Sequence, residues 1–314
     1  MQRYRAQAFS VAGCTIAIAA AVLVASGARL APSITFPGGV LFLMLLLHSY
    51  YSAMRPSPLL ATLLGSLAIT IIGLCSVGVI ALASLQLRMP LIDTLLVRAD
   101  HALGFDAASV SKFLSQDGTI VNLLTIAYQA SIPLIFATLI GQCLISNYDE
   151  AWCFSLNIIA TAFICSLIAL IAPAIGAFAT LGVSSDVIAR LPLAGNYHLP
   201  AFRIFYSAEP SVIDVTQLQG VITFPSFHTA MAVLTAYAWR RTNCIAQISW
   251  AWAVVVVFST IPIGGHYLID LLGGLILSFF VVCVTKHIYA SDGLIKSEFP
   301  AISGDRVPTI QSRK

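Results

Sequence analysis

An all-α protein that crosses a membrane with about eight helices is the fold class this sequence predicts, on three observations. Hydrophobic residues make up 59% of its 314 residues and charged ones only 9%, where an ordinary soluble domain carries about 25%. The apolar residues gather in runs long enough to cross a hydrocarbon core, which takes about 20 residues of helix. Basic residues flank one end of those runs more closely than the other, as the positive-inside rule asks. The mean hydropathy of +0.92 agrees. A net charge of +3 is too small to suggest a nucleic-acid partner, and none is expected.

Taken in order, Arg3 and Arg5 precede an apolar run from Ala8 to Ala28. It is longer than the roughly 7–15 residues of a signal-peptide core, so it is read as a retained first span. A second span covers Gly38 to Ala53 and includes His48, and a third runs from Pro58 to Leu85. The connection 86–118 contains Pro90 to Phe105 with Arg98, Asp100 and His101 interspersed. That pattern reads as a short amphipathic helix lying at an interface. The fourth span, Thr119 to Leu144, carries Tyr128, Gln129, Ser131 and Pro133 in its middle. A polar turn at Asn147–Glu150 leads to a fifth span from Cys153 to Leu181.

The longest connection follows, over 182–223, and a loop of that length in a compact fold is usually functional or disordered. The sixth span begins near Pro225 and ends at Trp239, the seventh covers Ile248 to Ile263, and the eighth covers His266 to Val284. From Tyr289 the tail is polar and is expected to be disordered. The seven cysteines, Cys14, Cys75, Cys143, Cys153, Cys165, Cys244 and Cys283, lie within or beside apolar runs without a CxxC pair. They are read as small core side chains, not as disulfides or zinc ligands.

With the N-terminus cytoplasmic, Arg3, Arg5, Arg55, Arg240, Arg241 and Lys286 fall on the inner side, with the tail's Lys296, Arg306, Arg313 and Lys314. Arg29, Arg88, Arg98, Lys112, Arg190 and Arg203 fall outside. Both termini are therefore expected inside, which fits an even number of spans. His228, at the start of span six, and His266 with Asp270, at the start of span eight, thereby come to the same outer depth.

Asp270 is the one carboxylate inside a long apolar run, and an ionisable group there is a functional-site hypothesis by default. His266 lies four residues before it, so on a helix the two share one face. A histidine acting as a nucleophile needs one ring nitrogen unprotonated and the proton on the other held by a partner, the role assigned to Asp270. His228 is positioned to protonate a leaving oxygen. Pro225-Ser226 opens the sixth helix, and the unpaired N–H groups of a helix start bind phosphate oxygens. Ser226 adds a hydroxyl, and Phe227 a backbone N–H. Singly, these residues also read as an interfacial histidine, a glycine turn, a buried structural pair or metal ligands. Convergence of two motifs at one depth favours a joint phosphoryl-transfer site.

Phe224-Pro225-Ser226-Phe227-His228 resembles the Pro-Ser-Gly-His element of the type-2 phosphatidic acid phosphatase superfamily. Ser259-Thr260-Ile261-Pro262-Ile263-Gly264-Gly265-His266-Tyr267-Leu268-Ile269-Asp270 resembles its final motif. The wording of both motifs, and more weakly Leu103-Gly104-Phe105-Asp106, is similar to the branch that contains inositol phosphorylceramide synthases and related bacterial membrane proteins. The resemblance implies a six-helix catalytic membrane core over 58–288, preceded by two N-terminal helices over 1–57 and followed by a cytoplasmic tail over 289–314. It implies His266 as nucleophile, Asp270 as its orienting carboxylate, His228 as general acid and Ser226 as a phosphate ligand. Two departures stand out: Thr260 occupies the family's arginine position, and the upstream Lys-Arg-Pro element is missing. Arg203 is the first substitute for the missing cation, followed by Arg98, Lys112 and Arg190.

The expected function is thus a lipid phosphatase or phosphotransferase working on lipid phosphate esters at the extracytoplasmic face. It would act through a phosphohistidine, with no metal and no other cofactor, in a bacterial inner membrane or its equivalent. One alternative is headgroup transfer of the inositol phosphorylceramide synthase type. Another, from a different class, is a proton-coupled transporter using His266–Asp270 as a relay, although such groups usually lie near the midplane within repeated halves. The expected partners are a lipid phosphate or phospholipid substrate and the bilayer itself.

Overall fold

The structure, a computed structural model, describes residues 2–191, 197–207 and 211–298. Long helices dominate it. The first three are α1 (Gln2–Ser26), α2 (Thr35–Ala53) and α3 (Pro58–Leu85). Two short ones follow, α4 (Asp93–Ala102) and α5 (Ala107–Leu114), then the long α6 (Gly118–Leu144) and α7 (Tyr148–Ile171). The second long connection holds α8 (Ala177–Thr180), α9 (Ser185–Arg190) and α10 (Leu199–Phe205). The chain returns through α11 (Phe227–Ala238), α12 (Asn243–Ser259) and α13 (Leu268–Glu298). Two two-residue strands, β1 (Arg29–Leu30) and β2 (Val212–Ile213), pair in parallel and tie the end of α1 to the second long connection.

Six helices, α1, α2, α3, α6, α7 and α13, are long and apolar enough to cross a membrane, and α12 is a shorter apolar helix of 17 residues. Their outward faces carry large apolar side chains, among them Phe42 and Leu46 on α2, Ile126 on α6, Phe258 on α12 and Phe279 on α13. Such a surface fits hydrocarbon as its solvent, where helix association rests on close packing and interhelical hydrogen bonds. The bonds are present. Thr70 Oγ1 meets Ser155 Oγ at 2.7 Å between α3 and α7, and Thr285 donates to Asn157 Oδ1 at 2.8 Å between α13 and α7. Gln142 donates to Ala238 O at 2.9 Å between α6 and α11. Arg240, just past α11, makes two bonds to the Glu150 carboxylate, at 2.7 and 2.9 Å.

The helix starts follow from their caps. Asp117 Oδ1 accepts from Thr119 N at 2.8 Å to open α6, and Asp106 accepts from Ala108 N and Ser109 N to open α5. Each supplies an acceptor to backbone donors that have no intrahelical partner. Four boundaries differ from the sequence reading. The single interfacial helix expected over 90–105 is α4, and a second helix, α5, follows it. The polar turn at Asn147–Glu150 is already the first turn of α7, its acidic residues lying at the helix's positive end. The fifth span, expected to reach Leu181, stops at Ile171 because Pro173 cannot donate to the helix ladder and Gly176 turns with φ +106. Finally, α13 continues to Glu298, past Tyr289 where a disordered tail was expected; 299–314 lies outside the described residues.

Helix α13 approaches the segment before α11 very closely. Ser226 N donates to Asp270 O at 3.0 Å, joining the two sequence motifs through their backbones. A Cβ at Gly274 would overlap Ser226 O, a backbone atom that cannot swing away. Gly274→Ala is therefore expected to destabilise the protein by about 1–3 kcal/mol through overpacking. Gly13→Ala on α1, where a Cβ meets open space, serves as the neutral control. Thermal unfolding of both variants in detergent checks this.

Candidate active site

The turn between α12 and α13 is built before the helix it leads into. Gly265 N donates to Ile261 O at 3.1 Å and His266 N to Thr260 O at 3.2 Å, closing a compact loop. Gly265 sits at φ +69, the left-handed region that favours glycine. At Gly264 a Cβ would stand 2.6 Å from Thr260 O and 2.9 Å from both His266 Cδ2 and Tyr128 Cε2. This pair of glycines lets the chain fold back tightly enough to aim the next residue inward.

That residue is His266, 4% exposed, and α13 begins only at Leu268. The sequence reading put His266 on the helix, one turn before Asp270. It lies instead in the turn, and the pair meets because the carboxylate reaches back. Asp270 Oδ2 accepts from Tyr267 N at 2.9 Å and faces His266 Nδ1 at 3.1 Å. Asp270 occupies the third position of the helix, where an acidic side chain can bond the N-cap N–H. With the Nδ1 proton directed at the carboxylate, the Nε2 lone pair is the free one. Asp270 is fully buried, and its Oδ1 has no partner among the described residues.

Two further carboxylates hold this turn, and the sequence reading missed both. Asp100 accepts from Leu268 N and Ile269 N, each at 2.9 Å, satisfying the first two N–H groups of α13. Asp93 accepts from Ile175 N, Gly176 N and the Tyr267 hydroxyl, all at 2.9 Å. The 175–176 turn in turn holds the loop that carries His266, since Ala177 N donates to Gly265 O at 2.9 Å. Burial pushes the Asp100 carboxyl up, and the two backbone donors pull it back down. A signal was present: Asp93, Leu96 and Asp100 all lie on the buried stripe of α4. Acidic residues on the apolar side of an amphipathic helix call for buried donors.

His228, in the first turn of α11, reaches the same place. Its ring centroid lies 6.5 Å from that of His266, and it stacks on Tyr128 at 4.3 Å with planes 14° apart. Tyr128 Oη stands 3.5 Å from His228 Nδ1 and 3.4 Å from Tyr197 Oη. These groups form the polar end of a cavity of ≈ 330 Å³ whose other walls come from α3, α6 and residues 215–223. His198 also lines it and holds its Nε2 at 2.9 Å from Ile175 O. A carbonyl only accepts, so Nε2 carries the proton and Nδ1 the lone pair; burial lowers the ring's affinity for a second proton.

Among the expected site residues, His228, His266 and Phe227 line this cavity, and Asp270 backs it. Ser226 is fully buried and caps α11, its Oγ accepting from Thr229 N at 3.3 Å, while its own N–H is engaged by Asp270 O. Arg203 is exposed on α10 and does not line the cavity, nor do Arg98, Lys112 and Arg190, all exposed. Thr260, at the family's arginine position, is buried with its hydroxyl turned back to Val257 O at 2.6 Å. The Leu103–Asp106 element forms the cap of α5 instead of a site wall.

Among protein families, a model described as the PAP2 superfamily matches residues 94–284, from α4 to α13. No curated protein and no solved structure matches the chain.

Removing a cap side chain costs about 1 kcal/mol or somewhat more, so Asp100→Ala is expected to destabilise the start of α13. Hydrogen exchange should accelerate at the Leu268 and Ile269 amides and leave α5 unaffected. Unchanged protection there would show that Asp100 does not hold the turn.

Proposed function

The chain belongs to the PAP2 superfamily, a phosphatase and phosphotransferase family, and from that premise and the site's geometry we propose that it transfers the phosphoryl group of a lipid phosphate ester through a phosphohistidine on His266. One observation carries the reading: His266 lines a cavity with its Nδ1 on a buried carboxylate, and His228 lines the same cavity. A nucleophile, a partner that holds its tautomer and a second histidine within reach are the parts that such chemistry requires.

His266 Nε2 attacks phosphorus, and the bond from phosphorus to the leaving oxygen breaks. The incoming phosphate anion favours the imidazolium form of His228, which gives its proton to that oxygen. In the second half, water or an acceptor hydroxyl passes a proton to His228 and attacks phosphorus. The P–N bond then breaks and His266 is restored. Asp270 accepts the Nδ1 proton throughout and stabilises the positive charge that grows on the ring as it attacks. The N–H groups of Phe227 and His228, at the open end of α11, have no intrahelical acceptor and suit the developing oxyanion. The apolar length of the cavity, with Leu74, Ile132, Phe136 and Leu218 among its walls, suits an acyl chain.

In this reading α11 and α12 complete eight crossings with the six longer helices. Both termini lie in the cytoplasm and the site opens outside, as the distribution of basic residues supports. Hydrolysis and transfer to a lipid hydroxyl share the first step and differ in the acceptor that the cavity admits.

The test uses purified protein, a panel of lipid phosphates and phospholipids, and a chelator. Turnover should survive the chelator and disappear in His266→Ala, with an acid-labile adduct trapped on His266 in the wild type. Asp270→Asn and His228→Ala should each lower kcat on the order of 10²–10⁴-fold. Full activity in His266→Ala, or an adduct on another residue, sinks the assignment.

A further inference from the structure

The phosphate clamp is the missing part of this site. Superfamily chemistry places a doubly or singly charged group beside the nucleophile, and a buried anion needs charge or hydrogen bonds to replace its water. Among the described residues, no lysine or arginine lines the cavity. Thr260 is turned towards its own helix, and Arg98, Arg190 and Arg203 are exposed and do not line the cavity. His198 is not a donor either, since its one proton is directed at Ile175 O and its open nitrogen carries a lone pair. Asp270 adds a carboxylate behind His266.

Two phenols occupy the place where a clamp is needed. Tyr128 and Tyr197 both line the polar end of the cavity beside His228 and His266, with their hydroxyls 3.4 Å apart. Tyr128 is only 7% exposed. It lies on α6 and Tyr197 on the 182–223 connection, so separate elements bring the two hydroxyls together. Tyr128 Oη lies 3.5 Å from His228 Nδ1 in the stacked pair, and an imidazolium there offers it no lone pair. The Tyr128 proton is then free to point elsewhere. Burial keeps the Tyr197 phenol above its usual range, so it stays a donor.

We propose that Tyr128 and Tyr197 form a neutral phosphate clamp, two phenol donors in place of the superfamily's cations, and that the site therefore prefers a phosphate group carrying one negative charge to one carrying two. The inference rests on the phosphoryl-transfer reading above. A single charge is balanced by the His228 imidazolium and two phenol hydrogen bonds. A second charge has no partner, and an unpaired buried charge is strongly disfavoured.

The test measures kcat and KM at pH 8 with two soluble probes, bis(p-nitrophenyl) phosphate with one charge and p-nitrophenyl phosphate with two. Adduct formation on His266 is followed by mass spectrometry in parallel. The wild type should favour the singly charged probe by about tenfold or more in kcat/KM. Tyr128→Phe and Tyr197→Phe should each raise KM about tenfold or more, the usual effect of losing one hydrogen bond to a charged group. Tyr197→Arg, which supplies a cation at the same place, should shift preference towards the doubly charged probe; a purely structural tyrosine would not give that shift. A wild-type preference for the dianion, unchanged KM in both Phe variants, or no shift in Tyr197→Arg overturns the clamp while the His266 adduct still forms. Absence of the adduct with both probes overturns the phosphoryl-transfer reading and the clamp with it.

Discussion

A carboxylate buried beside hydrocarbon is tolerated only where the fold surrounds it with donors, and Asp270 sets that condition for the end of the protein where the two motifs meet. Its Oδ2 takes Tyr267 N–H and faces His266 Nδ1, and its backbone oxygen takes Ser226 N–H. One residue thus orients His266, closes the first turn of α13 and docks the stretch of chain that precedes α11. Gly273 and Gly274 lie on the same helix, and the close approach they permit is what lets those bonds form together. The histidine of one motif and the histidine of the other meet because the two backbones are joined at this point.

The same condition repeats one layer outwards. Asp93 and Asp100 sit seven residues apart on one face of α4. Asp100 directs its oxygens to the N–H groups just after His266, and Asp93 directs its own to the Ile175–Gly176 turn, whose Ile175 carbonyl meets His198. Asp93 also takes the Tyr267 hydroxyl, so neighbouring residues of the turn that holds His266 are each fixed by a carboxylate. Helix α4 is therefore a clasp over the site as well as an interfacial element, and the family match beginning at residue 94 takes in most of it.

Much of this was legible in the sequence, and the unread part has a physical explanation. The long spans were visible because apolar run length is a direct consequence of the bilayer's thickness. The pairing of His266 with Asp270 was visible because four residues bring side chains together near a helix start. The place of His266 in a turn was not, since it depends on Gly265 adopting a positive φ. The end of the fifth span was missed because residues 172–181 are as apolar as a membrane helix. They form a turn and the short helix α8 instead, with Ala174, Ala177 and Phe178 packed in the same core cluster as Tyr128 and Tyr267. Arg203 was favoured for its charge and its nearness in sequence to Pro225. Its exposure shows how little sequence distance says about reach across a long connection. Tyr197 and Asp93 come from connections whose course is set by tertiary contacts, which no local pattern encodes.

The two helix starts at the site differ in their electrostatics. The positive end of α13 is already met by two carboxylates, Asp270 and Asp100, which take the N–H groups of Tyr267, Leu268 and Ile269. An anion gains little there and would meet two like charges. The positive end of α11 is capped by a neutral hydroxyl, Ser226, which takes only Thr229 N. Its dipole is not offset by any charge in the cap, and an anion near it is stabilised. Phe227 and His228, the first residues of that helix, are the ones that line the cavity. On the phosphoryl-transfer proposal, a phosphate is therefore favoured at the start of α11 over the start of α13, on the side of the cavity that Phe227 and His228 line.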